Sequence, residues 1–295
     1  TKLAGVDVYF GADPSYAVRL ERDKPAWWRL LPRYRAMVRQ EAEVFGRDSD
    51  AEILLLAHEA KAEFQTRYAT PEERFHLLPP GIDREHMQLP EPSAAGDLRA
   101  ELGLRPEDRM ILHVGSWFRR KGVDRMVQAL AAVVAEGIEN AHLVIVGKDD
   151  PAPYRHMAEN LGVADRLQFV GGRHDVARFY RAADLLLHPA YEETAGMVLL
   201  EAMFHGLPVL VTANCGYARY VEAAGAGALI AEPFDQAALN RQLTAALADA
   251  SLRRRWTDKA RRYVACGDLF SLHAKAAEVI VERAQRNRRG SGPSC

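Results

Sequence analysis

Apolar and polar positions alternate regularly along this chain. From residue 109 onward, short runs rich in Val, Leu and Ile recur: MILHVGS (110–116), AHLVIVG (141–147), RLQFVGG (166–172), DLLLHPA (184–190), PVLVT (208–212) and GALIA (227–231). Bounding Gly, Pro and Asp residues mark these runs as strands. The stretches between them have apolar residues at helical spacing and predict helices over 122–136, 153–162, 175–183, 196–206, 216–224 and 235–249. Strands that are apolar throughout, each followed by a helix, imply a parallel sheet covered on both faces. Residues 5–10, 52–57 and 75–78 read as strands and 58–68 as a helix, so the first part of the chain follows the same α/β scheme. The segment LPPGIDREHMQLPEPSAAGD (78–97) is rich in Pro, Gly and acids and reads as a linker. It divides a first domain, 1–90, from a second, 91–265. Residues 250–286 read as two helices broken at Gly267 and Asp268, and 287–295 as a basic, flexible tail.

Composition narrows the function. The chain has 295 residues, 48% of them hydrophobic, enough for two domains with substantial cores. Lys and Arg number 39 against 40 Asp and Glu, a formal charge of −1, which argues against a general nucleic-acid binder. Cys215, Cys266 and Cys295 are odd in number and lack ligand spacing, which points to a reducing compartment and no metal site. No apolar run approaches the roughly 18 residues that cross a bilayer. The chain starts at Thr1, and LAGVDVYFGAD (3–13) reads as a buried strand at once, so an N-terminal portion is expected to be missing.

In a doubly wound sheet, ligands sit beyond the carboxyl ends of the strands, so the loops there carry the chemistry. In VGSWFRRKGVDR (114–125), Gly115 and Ser116 end a strand. Arg120 and Lys121 then precede a helix opened by Gly122. A guanidinium, an ammonium and a helix N-terminus suit a diphosphate, although a solvated basic loop has the same composition. The glycine spacing is not that of a P-loop. In HPAYEETAGMVLLEA (188–202), Glu192 and Glu193 precede a helix opening near Ala195 or Gly196. Gly196 lets a ligand approach the backbone closely, and the free N–H groups of the first turn there favour phosphate. Glu201 lies eight residues after Glu193, two turns into that helix. Its carboxylate suits two vicinal hydroxyls of a ribose, and Glu193 suits a sugar ring. The plainer reading of either is a helix-dipole charge or a solvated face, but Leu199, Leu200, Ala202 and Met203 make a lone Glu201 costly. In FVGGRHDV (169–176), the turn at Arg173 can present backbone groups to a base edge, or it is an ordinary turn with Asp175 as N-cap. In TANCGYARYVE (212–222), Cys215 reads as pocket wall.

These loops together resemble the family 4 retaining glycosyltransferases of GT-B fold. The glutamate pair stands as Glu193 and Glu201 in EETAGMVLLEA, and the Arg-Lys-Gly element as Arg120, Lys121 and Gly122. Further stretches, VDVYFGAD, RYR, LPPGI, LLLHPAY, GLPVL and CGYARY, are similar to the lipopolysaccharide core glucosyltransferases. That similarity runs from residue 5 to about residue 280. The resemblance implies two Rossmann-like domains with parallel sheets, the first incomplete here, and a terminal helix, 266–286, returning to the N-terminal domain. It implies transfer of a hexosyl group, glucose or N-acetylhexosamine, from a UDP-sugar to a heptose of the lipid A–core acceptor, without metal or other cofactor. It assigns Arg120 and Lys121 to the diphosphate and Glu201 to the ribose. Glu193, Thr194, Ala195, Gly196, Met197 and Val198 take the hexose and phosphates. Gly115, Ser116 and Arg173 line the donor site, and Asp13 lies toward the acceptor. Asp13, Glu193, Arg120 and Lys121 are the catalytic set. A nucleotide-sugar-binding module and a UDP-N-acetylhexosamine epimerase are the competing functions.

Such an acceptor lies in a membrane, which bears on RDKPAWWRLLPRYRAMVRQ (22–40). This stretch has Arg22, Lys24, Arg29, Arg33, Arg35 and Arg39 against Asp23 alone. Trp27 and Trp28 with Arg29, Arg33 and Arg35 read as a patch for an anionic membrane surface, placing the enzyme peripherally on the inner face of the bacterial inner membrane. The alternative packs both tryptophans into a core. Pro25 and Pro32 favour two short elements over one long helix.

Overall fold

The computed structural model describes residues 5–87 and 94–290. They form two compact units, Thr1–Gly81 with Leu269–Cys295, and Ile82–Asp268.

The first unit carries a three-stranded parallel sheet in the order β1 (Val8–Gly11), β2 (Glu52–Leu55), β3 (Phe75–Leu77). Between β1 and β2 run α1 (Tyr16–Asp23), a 3-10 turn (Ala26–Leu30) and α2 (Pro32–Phe45), and α3 (His58–Tyr68) leads toward β3. Helix α1 falls where the hydropathy pattern shows no helix. A buried carboxylate explains its position. Glu41 on α2 accepts from the Ser15 hydroxyl at 3.1 Å, from the N–H groups of Tyr16 and Ala17 at 2.8 and 3.0 Å, and from the Tyr68 hydroxyl at 2.7 Å. A negative charge thus sits at the N-terminus of α1, where the exposed N–H groups favour it. Phe45 and Phe64 stack at 3.6 Å between ring centroids, in a cluster with Val44, Ile53, Leu55 and Ala60. The other end of α2 is closed by buried Arg74, which donates to the carbonyls of Val44, Gly46 and Ala51 at 2.6 to 2.8 Å.

The second unit is a six-stranded parallel sheet. Its strands are β4 (Arg109–Val114), β5 (Ala141–Val146), β6 (Leu167–Phe169), β7 (Leu185–His188), β8 (Val209–Thr212) and β9 (Gly227–Ile230), arranged β6-β5-β4-β7-β8-β9. The connecting helices are α6 (Val123–Ala135), α7 (Ala152–Asn160), α8 (Val176–Ala182), α9 (Met197–Phe204) and α10 (Ala218–Ala224), followed by α11 (Gln236–Ala248) and α12 (Ala250–Cys266). Ile111, Leu143, Ile145, Leu185, Leu187 and Leu210 share one buried core with Val123, Met126, Leu130, Leu239 and Leu243.

The unit boundaries differ from the expected ones. The segment expected as a linker holds α4 (Arg84–Met87) and α5 (Ala94–Glu101), with residues 88–93 outside the described set. Leu98 of α5 is buried, and Arg99 donates to the Ala182 carbonyl at 2.6 Å, so this segment belongs to the second unit and the boundary lies at Gly81. The second boundary falls at Asp268, just past the Gly267 cap of α12, and not at 265. The last helix, α13 (Leu272–Gly290), belongs to the first unit: Arg283 pairs with Asp7 and Asp50, and Arg286 with Glu52. Residues 287–290, expected as flexible tail, are the end of α13, and Asn287 donates to Asp7 at 2.8 Å. These polar anchors sit every three to four residues on α13, which hydropathy alone does not weigh.

Replacing Arg74 by Met removes three charged hydrogen bonds to buried carbonyls and should cost about 3 kcal/mol or more of stability. Urea unfolding followed by circular dichroism checks it; a loss under about 1 kcal/mol would mean that water satisfies those carbonyls equally well.

Candidate functional site

The strand order reverses between β4 and β7, which places a crevice between the loops that follow them. These loops, residues 115–122 and 189–196, are bound to each other. Tyr191 N–H donates to the Arg120 carbonyl at 2.9 Å, and Arg120 Nε donates to the Glu192 carbonyl at 3.1 Å. Gly122 has φ +72°, and a Cβ there would run into the Pro189 carbonyl. Buried Arg125, one turn along α6, donates to the carbonyls of Pro189 and Ala190 at 3.1 and 3.3 Å. Its guanidinium lies 3.6 Å from the ring centroids of both Tyr191 and Phe234. A cation between two rings is held by both quadrupoles and leaves little freedom to the loop.

This clamp brings three titratable side chains together. Lys121 Nζ contacts Glu193 Oε2, and His188 Nε2 lies 3.3 Å from the same oxygen. Burial and then the neighbouring Arg120 pull the Lys121 ammonium down to about 8, with Cys215 acting in the opposite sense. Burial and the facing His113 hold His188 well below its usual value. Glu193 is further fixed through its backbone, which bridges to Cys215 in parallel fashion and accepts from Gly216 N–H at 3.0 Å.

Beyond Glu193 the chain passes Thr194 and Ala195 to Gly196, at φ +90°, and enters α9 at Met197. The first-turn N–H groups of such a helix have no intrahelical acceptor and favour an anion. Glu193 stands before the helix, as expected, and Glu201 is the fifth residue of α9, little more than one turn into it where two were expected. Tyr180, fully buried on α8, donates its hydroxyl to Glu201 Oε2 at 2.6 Å. Burial raises the Glu201 pKa and the Tyr180 hydrogen bond opposes the rise.

The other expected residues fall as follows. Gly115 and Ser116 lie on the β4 loop, where Gly115 N–H donates to Val146 and Ser116 Oγ accepts from Lys148 N–H at 2.9 Å. The Arg173 guanidinium is committed to Asp175 through two bonds of 2.8 Å, so that turn offers backbone groups and not a free cation. Asp175 does not cap α8 with its side chain. Arg173 and Arg178 hold it, and the Arg173 bond brings its pKa to about 2. Cys215 is buried and its thiol is pushed up to about 12, which fits a wall and not a nucleophile. Asp13 is exposed in the first unit, on the turn between β1 and α1. In the basic stretch, Trp27 is 58% exposed and Leu30 67%, Arg29, Arg33 and Arg35 are exposed, and Trp28 is partly covered with Lys24 over its ring. The 3-10 turn there has no buried residue, so Trp27 and Trp28 are not a core. Pro32 opens α2, which at 14 residues is longer than the short element expected. Among the described residues no group of three or more His, Cys, Asp or Glu is placed to hold a metal, and no helix is long and apolar enough to cross a membrane.

Arg125, Tyr180, His113 and His188 were not singled out by the sequence. Their signal is one of context: each is a polar side chain inside an otherwise apolar strand or helix face.

Residues 95–263 match the model of the glycosyl transferases group 1. The chain is 44% identical over 282 residues to the lipopolysaccharide glucosyltransferase WaaG of Escherichia coli, covering 95% of this chain and 75% of that protein. A D-inositol 3-phosphate glycosyltransferase of Xylanimonas cellulosilytica is 32% identical over 82% of this chain, which spans 58% of that relative's length. Among solved structures, a crystal structure of WaaG superposes with a TM-score of 0.89, at 44% identity over 95% of this chain and 76% of that one. A sucrose-phosphate synthase from Thermosynechococcus elongatus reaches 0.75 at 25% identity, over 96% and 68%. By these matches, and by its fold, clamped loops and glutamate pair, the chain belongs to the group 1 glycosyl transferases, a family of GT-B enzymes.

Proposed function

We propose that the chain catalyses retaining transfer of a hexosyl group from a UDP-sugar to a heptose of the lipopolysaccharide inner core. The observation that carries this reading is the arrangement around α9. A cation pair, Arg120 and Lys121, and a carboxylate, Glu193, meet at its N-terminus. A second carboxylate, Glu201, is set one turn further by Tyr180. A diphosphate takes the cations and the free N–H groups, the ribose takes Glu201, and the hexose takes Glu193. The bond from the anomeric carbon to the β-phosphate oxygen breaks and a bond to the acceptor oxygen forms on the same face. The acceptor proton passes to the departing diphosphate. Arg120, Lys121 and the helix N-terminus stabilise the charge that develops there, an effect worth several kcal/mol. This electrostatic role needs no metal. Asp13 is proposed on the acceptor side. The 44% identity to WaaG supports the lipopolysaccharide acceptor.

The exposed stretch about Trp27 is proposed as the contact with an anionic membrane, holding the enzyme peripherally at the inner face of the inner membrane. Aromatic rings suit the headgroup level, and each nearby cation contributes about 1 kcal/mol.

Glu201→Ala should weaken UDP binding about 100-fold, since two hydrogen bonds to a charged acceptor are lost. Calorimetry on a variant with unchanged melting temperature decides it; unaltered affinity removes the ribose from Glu201.

UDP affinity should be flat near neutrality and fall as pH rises past about 8, where the Lys121 ammonium loses its proton. Lys121→Arg, which stays charged, should abolish that limb. A limb of the same size in both proteins would assign it to another group.

Vesicles of anionic lipid should bind the protein and neutral vesicles should not, with binding falling as salt shortens the Debye length toward about 8 Å. Replacing Arg29, Arg33 and Arg35 by Gln should remove most of it, and Trp27→Ala should weaken it without lowering the melting temperature. Sedimentation with vesicles reads both; retention by the arginine variant refutes the patch.

A further inference from the structure

Two histidines beneath the clamped loops have no part in the mechanism above. His113 on β4 and His188 on β7 are both fully buried, with rings stacked at 5.4 Å and 24°. Their tautomers follow from their partners. His113 Nδ1 lies 3.3 Å from the Leu187 carbonyl, which only accepts, so Nδ1 carries the hydrogen. His188 Nε2 lies 3.3 Å from Glu193 Oε2, a carboxylate oxygen, so Nε2 carries the hydrogen. The remaining nitrogens, His113 Nε2 and His188 Nδ1, are lone-pair acceptors without a partner. Burial brings His113 down to about 4, and His188 lies well below its usual value, with Lys121 disfavouring a second positive charge at both. The pair is neutral across the physiological range.

We propose that His188 is a positioning residue for Glu193: its Nε2–H and the Lys121 ammonium both engage Oε2, which fixes the carboxylate plane and leaves Oε1 for a hydroxyl of the donor hexose. Oε1 makes no hydrogen bond among the described residues. Lys121 alone is a flexible point charge and sets a distance but not an orientation. A neutral donor on a rigid strand end, stacked against a second ring, supplies the orientation without neutralising the carboxylate. This inference rests on the reading of Glu193 as the hexose contact.

The test is a double-mutant cycle on the full-length protein, with transfer rates and UDP affinity measured for each variant. His188→Phe should lower the transfer rate by about 10- to 100-fold and leave UDP affinity within about twofold, since Glu193 serves the sugar and not the nucleotide. His188→Gln, whose amide nitrogen reaches the same place, should restore most of the rate, and His188→Asn, whose amide falls short, should not. Adding His188→Phe to Glu193→Gln should cost little more than Glu193→Gln alone, because a positioning role disappears with the group it positions. Additive losses, a His188→Phe enzyme with unchanged rate, or equal rates for the Gln and Asn variants would each overturn the proposal. If Glu193→Gln itself transfers normally, the hexose reading fails and the inference fails with it. If Glu193→Gln is impaired and His188→Phe is not, the inference fails alone. Should His188→Phe not fold, the Gln and Asn pair decides.

Discussion

The donor loops depend on one close approach: Gly122 resting on the carbonyl of Pro189. No side chain fits there, and φ +72° is open to glycine at little cost. The approach lets α6 start against the end of β7, which brings Arg120 onto the Glu192 carbonyl, Lys121 onto Glu193 and Arg125 onto the Pro189 and Ala190 carbonyls. Arg125 then closes the clamp by donating to the buried Pro189 carbonyl, which unpaired would cost about 1–3 kcal/mol, and to the Ala190 carbonyl, which also accepts from Thr212 Oγ1 at 3.0 Å. The sandwich of its guanidinium between Tyr191 and Phe234 makes a lysine a poor substitute. Arg120 and Lys121 are therefore placed by packing at the strand ends, and little ordering of them is left for a ligand to do.

Charge at this site is held under tension. Lys121, Glu193 and Glu201 are mostly buried, and burial opposes ionisation of Lys121 and Glu201. The structure offsets this with local partners, the ion pair for Lys121 and Glu193 and the Tyr180 hydroxyl for Glu201. Such partners keep the carboxylates available without replacing the hydrogen bonds that a sugar would make. The low local dielectric that makes the charges costly also strengthens their action on a bound diphosphate.

The fold was legible because the second unit's sheet is apolar throughout. A run such as LVIV between glycines has no other stable place than a covered parallel strand, and all six strands appear where the runs lie. Elements held by polar contacts were not legible. Helix α1 is set by Glu41, which lies 25 residues from its Tyr16 partner, and α13 by arginines pairing with acids over 200 residues away. No local pattern contains such pairings. In the site, residues on loops at strand ends were visible from topology, since only those positions face the crevice. Among residues acting from within elements, Glu201 stood out by its apolar neighbours, whereas those whose partners lie on other elements did not. His113, His188, Arg125 and Tyr180 belong to this class.

The eight-residue interval between the two glutamates has a physical meaning beyond its length. If both lay on one helix, a single rigid body would carry them and any shift at one would move the other. Here Glu193 precedes the left-handed Gly196 and is held by the bridge to Cys215, by Lys121 and by His188. Glu201 rides on α9 and is held by Tyr180 from α8. The two carboxylates thus rest on separate supports, with Gly196 as the joint. On the proposed roles, the hexose and ribose contacts can then vary independently: a change in the loop from Glu193 to Ala195 would act on the first and leave the Tyr180 bond that holds Glu201 in place.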